Sequence, residues 1–284
     1  MKHYILIVTI GVLLFGCGYV PPTPTSISTT PTPTPPAPES TPLPAVQLWP
    51  VPLTLDYMPA DEEELIRHGV DLDIRGIYGL NANLVFLYGG LKLSYNGGAE
   101  SVASLVLRSY DQGKHWQEVM PRAIGSNVIA LSFVDDGEGW ALVTWAVEAC
   151  GAGRVYHTKD YGWSWVEQSE VPEFSPMTCP TDMRFNDQQS GWIKLYDPDN
   201  GCRTLDTTDG GDHWQFRQEI LYVDTCKFAD NAQMTTQDGI QWQVVVKDEN
   251  KLQVSRRLAS EKAWTVVSNL PRHYSYEPGR VLPP

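Results

Sequence analysis

The stretch Ser109-Tyr110-Asp111-Gln112-Gly113-Lys114-His115-Trp116 returns as Thr158-Lys159-Asp160-Tyr161-Gly162-Trp163-Ser164-Trp165, and again as Thr207-Thr208-Asp209-Gly210-Gly211-Asp212-His213-Trp214. Ser109 to Thr158 and Thr158 to Thr207 are each 49 residues apart. A fixed period of about 40–50 residues is the length of chain that a four-stranded propeller blade consumes. The expected fold is therefore all-β, a propeller of four-stranded antiparallel blades. Three similar turns around a ring are more than one catalytic centre needs, so the motif is expected to serve the fold.

The chemistry of the motif supports that expectation. In a tight turn the Asp carboxylate and the Ser or Thr hydroxyl bond to nearby backbone groups, while Gly adopts a left-handed conformation that a side chain resists. The structural set is Ser109, Asp111, Gly113 and Trp116, then Thr158, Asp160, Gly162 and Trp165, then Thr207, Asp209, Gly211 and Trp214. His115 and His213 share one turn position and are expected as exposed turn residues, since a metal site would need them to converge with other ligands.

Aligned on the motif, each unit has an apolar first strand, a second opened by Gly-Trp, a third running into the turn and a fourth beginning at the turn Trp. The second unit holds Val128–Phe133, Gly139–Val143, Gly153–His157 and Trp165-Val166; the third holds Met183–Phe185, Gly191–Leu195, Arg203–Leu205 and Trp214–Phe216. Leu84–Tyr88 and Ser104–Leu107 supply the first unit. A decayed fourth unit holds Lys227-Phe228, Gln241–Val246, Leu252–Ser255 and Trp264–Val267, with no Asp or Gly between Ser255 and Trp264. About four blades follow. The 240 residues from 45 to 284 hold about 4.9 periods of 49, so the leftover ends either pair to close the ring or build a fifth blade. Before the blades, Ala45–Trp49 is a weak strand candidate ended by Pro50, and Pro59–Gly69 is the best helix candidate, with Asp61 as cap and Gly69 as terminator.

The N-terminal region is organised differently. Residues 1–16 form a short basic start and an apolar run too short to span a bilayer, expected to be a removable signal. The run ends in Leu14-Phe15-Gly16-Cys17, which resembles the bacterial lipoprotein signal; the resemblance implies lipidation of Cys17 and attachment to the membrane outside the cytoplasm. Residues 17–44 are dominated by Pro, Thr and Ser and are expected to be a disordered, extended spacer. Residues 45–284 then form the propeller domain. Losing Lys2 with the signal takes the formal charge from −13 to about −14, which argues against nucleic acid as a partner.

Apart from Cys17 there are four cysteines, Cys150, Cys179, Cys202 and Cys226, an even set in an exported chain that points to disulfides. All four fall in loops on the face opposite the Asp-containing turns. The pairing that repeats with the blades, Cys150 with Cys179 and Cys202 with Cys226, ranks ahead of the two other connectivities and ahead of a zinc site. Arg154 and Arg203 occupy equivalent starts of third strands and are candidates for a binding rim, the plainer reading being exposed strand-end arginine.

The pattern Ser/Thr-x-Asp-x-Gly-x-x-Trp resembles the Asp-box (BNR repeat) of β-propellers. With Gly-Trp opening one strand, it is similar to the photosystem II stability/assembly factor-like family and, more distantly, to the sortilin-type propellers, over roughly residues 70–270. The resemblance implies a noncatalytic propeller without a cofactor or metal, membrane-anchored, that binds or helps assemble other proteins; photosystem assembly itself is not implied. The face bearing the cysteines is then where binding is expected. The alternative is a glycoside hydrolase of the sialidase kind, for which Arg75, Arg108 and Arg184 are the candidate arginines, or a glycan-binding module using Trp145 or Trp163.

Overall fold

The computed structural model describes residues 46–47, 62–95, 98–134, 137–145, 152–172, 178–197, 201–217, 232–277 and 280–282. Strand β1 (Val46–Gln47) and helix α1 (Glu62–His68) lead into a first blade of β2 (Val70–Gly79), β3 (Val85–Tyr95), β4 (Gly98–Ser109) and β5 (Trp116–Glu118). The second blade is β6 (Ser126–Phe133), β7 (Gly139–Trp145), β8 (Gly153–Thr158) and β9 (Val166–Val171). The third is β10 (Cys179–Phe185), β11 (Gly191–Asp197), β12 (Gly201–Thr207) and β13 (Gln215–Phe216), and the fourth β14 (Gln233–Thr235), β15 (Ile240–Asp248), β16 (Lys251–Leu258) and β17 (Thr265–Pro271). Strands β18 (His273–Glu277) and β19 (Arg280–Leu282) end the chain. Each blade is an antiparallel meander, so the protein is an all-β propeller of about four blades.

The short helix ends where the sequence places its terminator: Gly69, at φ +67°, donates its N–H to the carbonyl of Leu65 at 2.8 Å. Its expected cap, Asp61, lies outside the described residues, as do the signal, Cys17 and the spacer.

The leftover ends join the first blade. Strand β18 pairs antiparallel with β2 through His273↔Asp71 and Tyr274↔Val70, and β1 pairs parallel with β5 through Val46↔Trp116. The first sheet thereby grows to seven strands, and no fifth blade forms among the described residues. One boundary of the sequence layout moves. Lys227-Phe228 lies outside the described residues, and the strand that pairs with β15 is β14, whose exposed Gln233 and Thr235 carry no apolar alternation to announce it.

Three apolar cores fill three of the four blade boundaries. Leu72, Leu107, Trp116, Trp242 and Val254 join the first blade to the fourth; Phe86, Val106, Phe133 and Trp165 join the first to the second; Trp140, Leu142, Phe185, Ile193 and Trp214 join the second to the third. Among the described residues no such cluster joins the third blade to the fourth.

The Gly of Gly-Trp has a steric cause. Phe133 stands opposite Gly139 and Phe185 opposite Gly191, and each ring lies where a glycine Cβ would be, at 2.8 Å in the case of Gly191 and Phe185. A cross-strand ring covering a glycine is a recurrent way to fix strand register. Gly191→Ala is therefore expected to displace the ring and cost about 1–3 kcal/mol, measured as a lower urea midpoint with unchanged slope.

Candidate functional site

The three repeated turns are built alike. The hydroxyls of Ser109, Thr158 and Thr207 donate to Oδ1 of Asp111, Asp160 and Asp209 at 2.9, 2.8 and 2.8 Å. The same oxygens accept the N–H of Gly113, Gly162 and Gly211 at 2.9, 3.0 and 3.0 Å. Oδ1 also accepts the N–H of His115, Ser164 and His213 at 3.0, 2.9 and 3.0 Å. The Asp-box carboxylates are thus occupied by their own turns.

His115 and His213 are exposed, as expected, but each ring also meets the second oxygen of its Asp, Nδ1 to Oδ2 at 2.6 and 2.7 Å; in the middle turn the Ser164 hydroxyl does so at 2.6 Å. Among the described residues no group of three or more His, Cys, Asp and Glu is placed to hold a metal ion. The His213 bond foremost, then the His213 and Thr207 groups around it, lower the Asp209 carboxyl from 3.8 to about 2. At Asp111 and Asp160 burial pushes upward, but the combined hydrogen bonds from the turn outweigh it and the net is lowered. A carboxyl whose folded value is depressed contributes stability above its unfolded value and loses it as the pH falls through the folded one. The urea midpoint is thus expected to fall between about pH 4 and pH 2, and less steeply in Asp209→Asn; a midpoint flat across that window contradicts this.

Each box tryptophan docks its turn on the preceding blade. Trp165 closes against Phe133 edge-on at 5.9 Å, and a Cβ on Gly162 would meet Phe86 of the first blade at 2.7 Å. Trp214 donates to Ser169 of the second blade at 3.1 Å, and Trp116 donates to Ser268 of the fourth, also at 3.1 Å. The buried Trp140 is the matching receiver, stacked 3.7 Å from Phe185 and donating its N–H to the carbonyl of Gly210 at 2.8 Å. In the fourth blade, where the motif has decayed, Trp264 instead lies under Arg257 of its own blade at 4.4 Å.

A cavity opens where the four blades converge. It has a volume of about 1210 Å³ and is walled by the ends of the four inner strands and the loops that follow, including Tyr78, Phe133, Arg184, Trp192 and Thr235. In an antiparallel meander those ends and the box turns lie at the same end of the ring. The concavity is therefore on the Asp-box side, not on the cysteine side favoured by the sequence. The opposite loops that carry Cys150 and Cys226 lie outside the described residues.

The remaining candidates separate. Of the three sialidase-type arginines only Arg184 lines the cavity. Arg75 is exposed beside Asp73 at 3.1 Å. Arg108 is 6% exposed, donates to the Tyr161 carbonyl at 3.0 Å and lies 4.0 Å over Trp163; burial lowers its pKa against the pull of Asp160. Arg154, a rim candidate, is tied to Glu167 at 2.9 Å and Glu170 at 3.4 Å of its own blade and covers Trp145 at 4.9 Å. Arg203, the other, is half-buried opposite Leu195. Trp163 keeps 47% exposure. Cys179 and Cys202 are both paired in register with Tyr196 from either side, so they stand two strands, about 9.5 Å, apart. That exceeds the reach of about 7 Å that a disulfide allows, and the two do not bond to each other.

The cavity residues Trp192, Thr235 and Tyr161 were not singled out by the sequence. Trp192 was visible only as half of Gly-Trp, while Tyr161 carries a signal in hindsight, a bulky residue at φ +58° where the third box has Gly210.

No curated protein matches the sequence. Among solved structures, YCF48 bound to D1 peptide is 17% identical at a TM-score of 0.38, over 70% of this chain and 55% of that one. A GH74 xyloglucanase from Xanthomonas campestris is 13% identical at 0.39, over 67% and 29%, and the Hadza microbial sialidase Hz136 is 14% identical at 0.37, over 71% and 46%. The chain thus spans little more than half the length of YCF48 and less than a third of the xyloglucanase. The boxes and blades also account for a family match: the family model described as sortilin, neurotensin receptor 3, covers residues 104–273, from β4 to the first residue of β18 and more than half of the sequence, and the chain belongs to the Sortilin-Vps10 family.

Proposed function

We propose that the chain is a noncatalytic propeller, lipid-anchored through Cys17 outside the cytoplasm of a bacterium, that binds or helps assemble other proteins through its cavity. The observation that carries this reading is the composition of the cavity wall. It is roomy enough for a polypeptide segment and presents strand ends, loops and the side chains of Trp192 and Arg184. A sialidase-like site would instead converge Arg75, Arg108 and Arg184, and two of these are held elsewhere. Within the same proposal, disulfides from Cys150 to Cys179 and from Cys202 to Cys226 staple the far loops. Nonreducing peptide mapping that joined Cys150 to Cys202 would overturn that pairing.

The test is photocrosslinking in intact membranes from a reactive group at position 184. A covalently captured protein, lost when the group is moved to exposed Arg75, is the expected result. Capture of no protein counts against the proposal. Hydrolysis of a fluorogenic sialoside that disappears in Arg184→Ala would replace it with the glycosidase reading.

A further inference from the structure

At each blade boundary one residue of a second strand is presented to the next blade, and the equivalent positions are Phe86, Trp140, Trp192 and Trp242. Strand register identifies what meets each one. Phe133, opposite Gly139, stacks on Phe86 at 4.8 Å; Phe185, opposite Gly191, stacks on Trp140 at 3.7 Å. At the boundary of fourth and first blades the equivalent residue is Gly79, opposite Val85, and its backbone lies against Trp242, 2.8 Å from where a Cβ would be. At the boundary of third and fourth blades the equivalent residue is Thr235, opposite Gln241.

Among the described residues this position thus holds a ring at two boundaries, bare glycine backbone packed on Trp242 at a third, and only a threonine at the boundary whose box has decayed. Trp192 is partly exposed, Thr235 is exposed, and both line the cavity. Lys194 approaches Trp192 from the same strand at 5.1 Å. The internal repeat itself shows the chemistry that fits: at the equivalent Trp140, a stacked phenyl ring and a turn carbonyl 2.8 Å from the indole nitrogen.

We propose that the gap between Trp192 and Thr235 receives an aromatic side chain of a partner polypeptide, which completes the ring as Phe185 completes it one blade earlier. This rests on the protein-binding reading above and adds the residue type that the partner contributes. Offset or parallel ring stacking in a cavity of this kind is directional, so an aliphatic residue of similar size is a poorer substitute.

The full chain, solubilised in detergent, is panned against a phage-displayed random dodecapeptide library, in parallel with Trp192→Ala and Thr235→Phe. Peptides enriched on the wild type are expected to share one Phe, Tyr or Trp, and to bind about tenfold more weakly to either variant. Thr235→Phe is also expected to raise Tm, because it supplies the ring from within. Thr235→Phe is the informative variant should Trp192→Ala fold poorly. Enriched peptides without a shared aromatic, or aromatic peptides that bind Thr235→Phe as well as wild type, overturn this inference and leave the protein-binding reading intact. A lowered Tm in Thr235→Phe also overturns it, since the gap would then not admit a ring. Absence of any enriched peptide, together with no protein captured from position 184, overturns both.

Discussion

Replacing Trp116 with alanine is expected to cost about 3–5 kcal/mol, the range for truncating a buried tryptophan. The residue is 1% exposed and its indole nitrogen donates to Gly113 in its own turn at 3.0 Å and to Ser268 of the fourth blade at 3.1 Å. It lies in the core that also holds Leu72, Trp242 and Val254, so its loss opens a cavity where the ring closes between residues far apart in sequence. For a domain of this size each kcal/mol lowers Tm by roughly 2–4 °C. The same substitution at Trp264 provides the contrast. There the neighbour is Arg257 at 4.4 Å on the same blade, and the expected cost is about 1 kcal/mol or less. Thermal unfolding of the two variants side by side checks this. Equal losses would mean that the decayed turn still staples its blade.

Removing the charge of Glu118 is expected to be comparably severe. Arg122 donates to both oxygens of Glu118, at 2.8 and 2.9 Å, and the two side chains are 4% and 0% exposed. Glu118→Gln leaves a guanidinium buried beside a neutral amide, and breaking a buried pair from one side costs about 3–5 kcal/mol. Replacing both members, as Glu118→Leu with Arg122→Met, removes the desolvation of two charges together and is expected to recover much of the loss. A double-mutant cycle by urea unfolding measures the coupling. The charge has a second neighbour: burial foremost, and then Glu118, push the Tyr274 hydroxyl above its ordinary pKa. Tyr274 is the β18 residue that pairs with Val70.

These two sites mark how much of the molecule the sequence discloses. Local chemistry was legible. An Asp, a Gly and a Trp within six residues of one another specify the box turn, because the hydrogen bonds of its hydroxyl and carboxylate close inside that turn, and their period specified the blades. Alternation gave β11, where Ile193 and Leu195 face the second blade's core. What stayed hidden depends on long-range pairing. The partner of β2 is β18, about 200 residues away, joined through only two register pairs that carry no periodic signal. Strand β14 offered Gln, Met and Thr with two of the three exposed. The cavity was not legible, because it is walled by strand ends from all four blades, whose convergence no local motif records. Placing function on the cysteine side followed from treating the box end as purely structural. Both the turns and the opening share that end, since first-to-second and third-to-fourth connections of a meander emerge together.

The parallel pairing of β1 with β5 sets how this molecule is best handled. Strand β5 leaves the box at Trp116 and runs away from that end, and Val46 lies beside Trp116, so β1 begins at the same end of the first blade on which the cavity opens. The last strand, β19, runs alongside β18 on the far side, where His273 and Tyr274 meet the start of β2. A bulky reporter or surface attachment at Val46 would sit at that end, on the outer edge of the first blade. One placed after Leu282 leaves the entrance clear, and immobilisation through that terminus presents the opening to whatever is offered in solution.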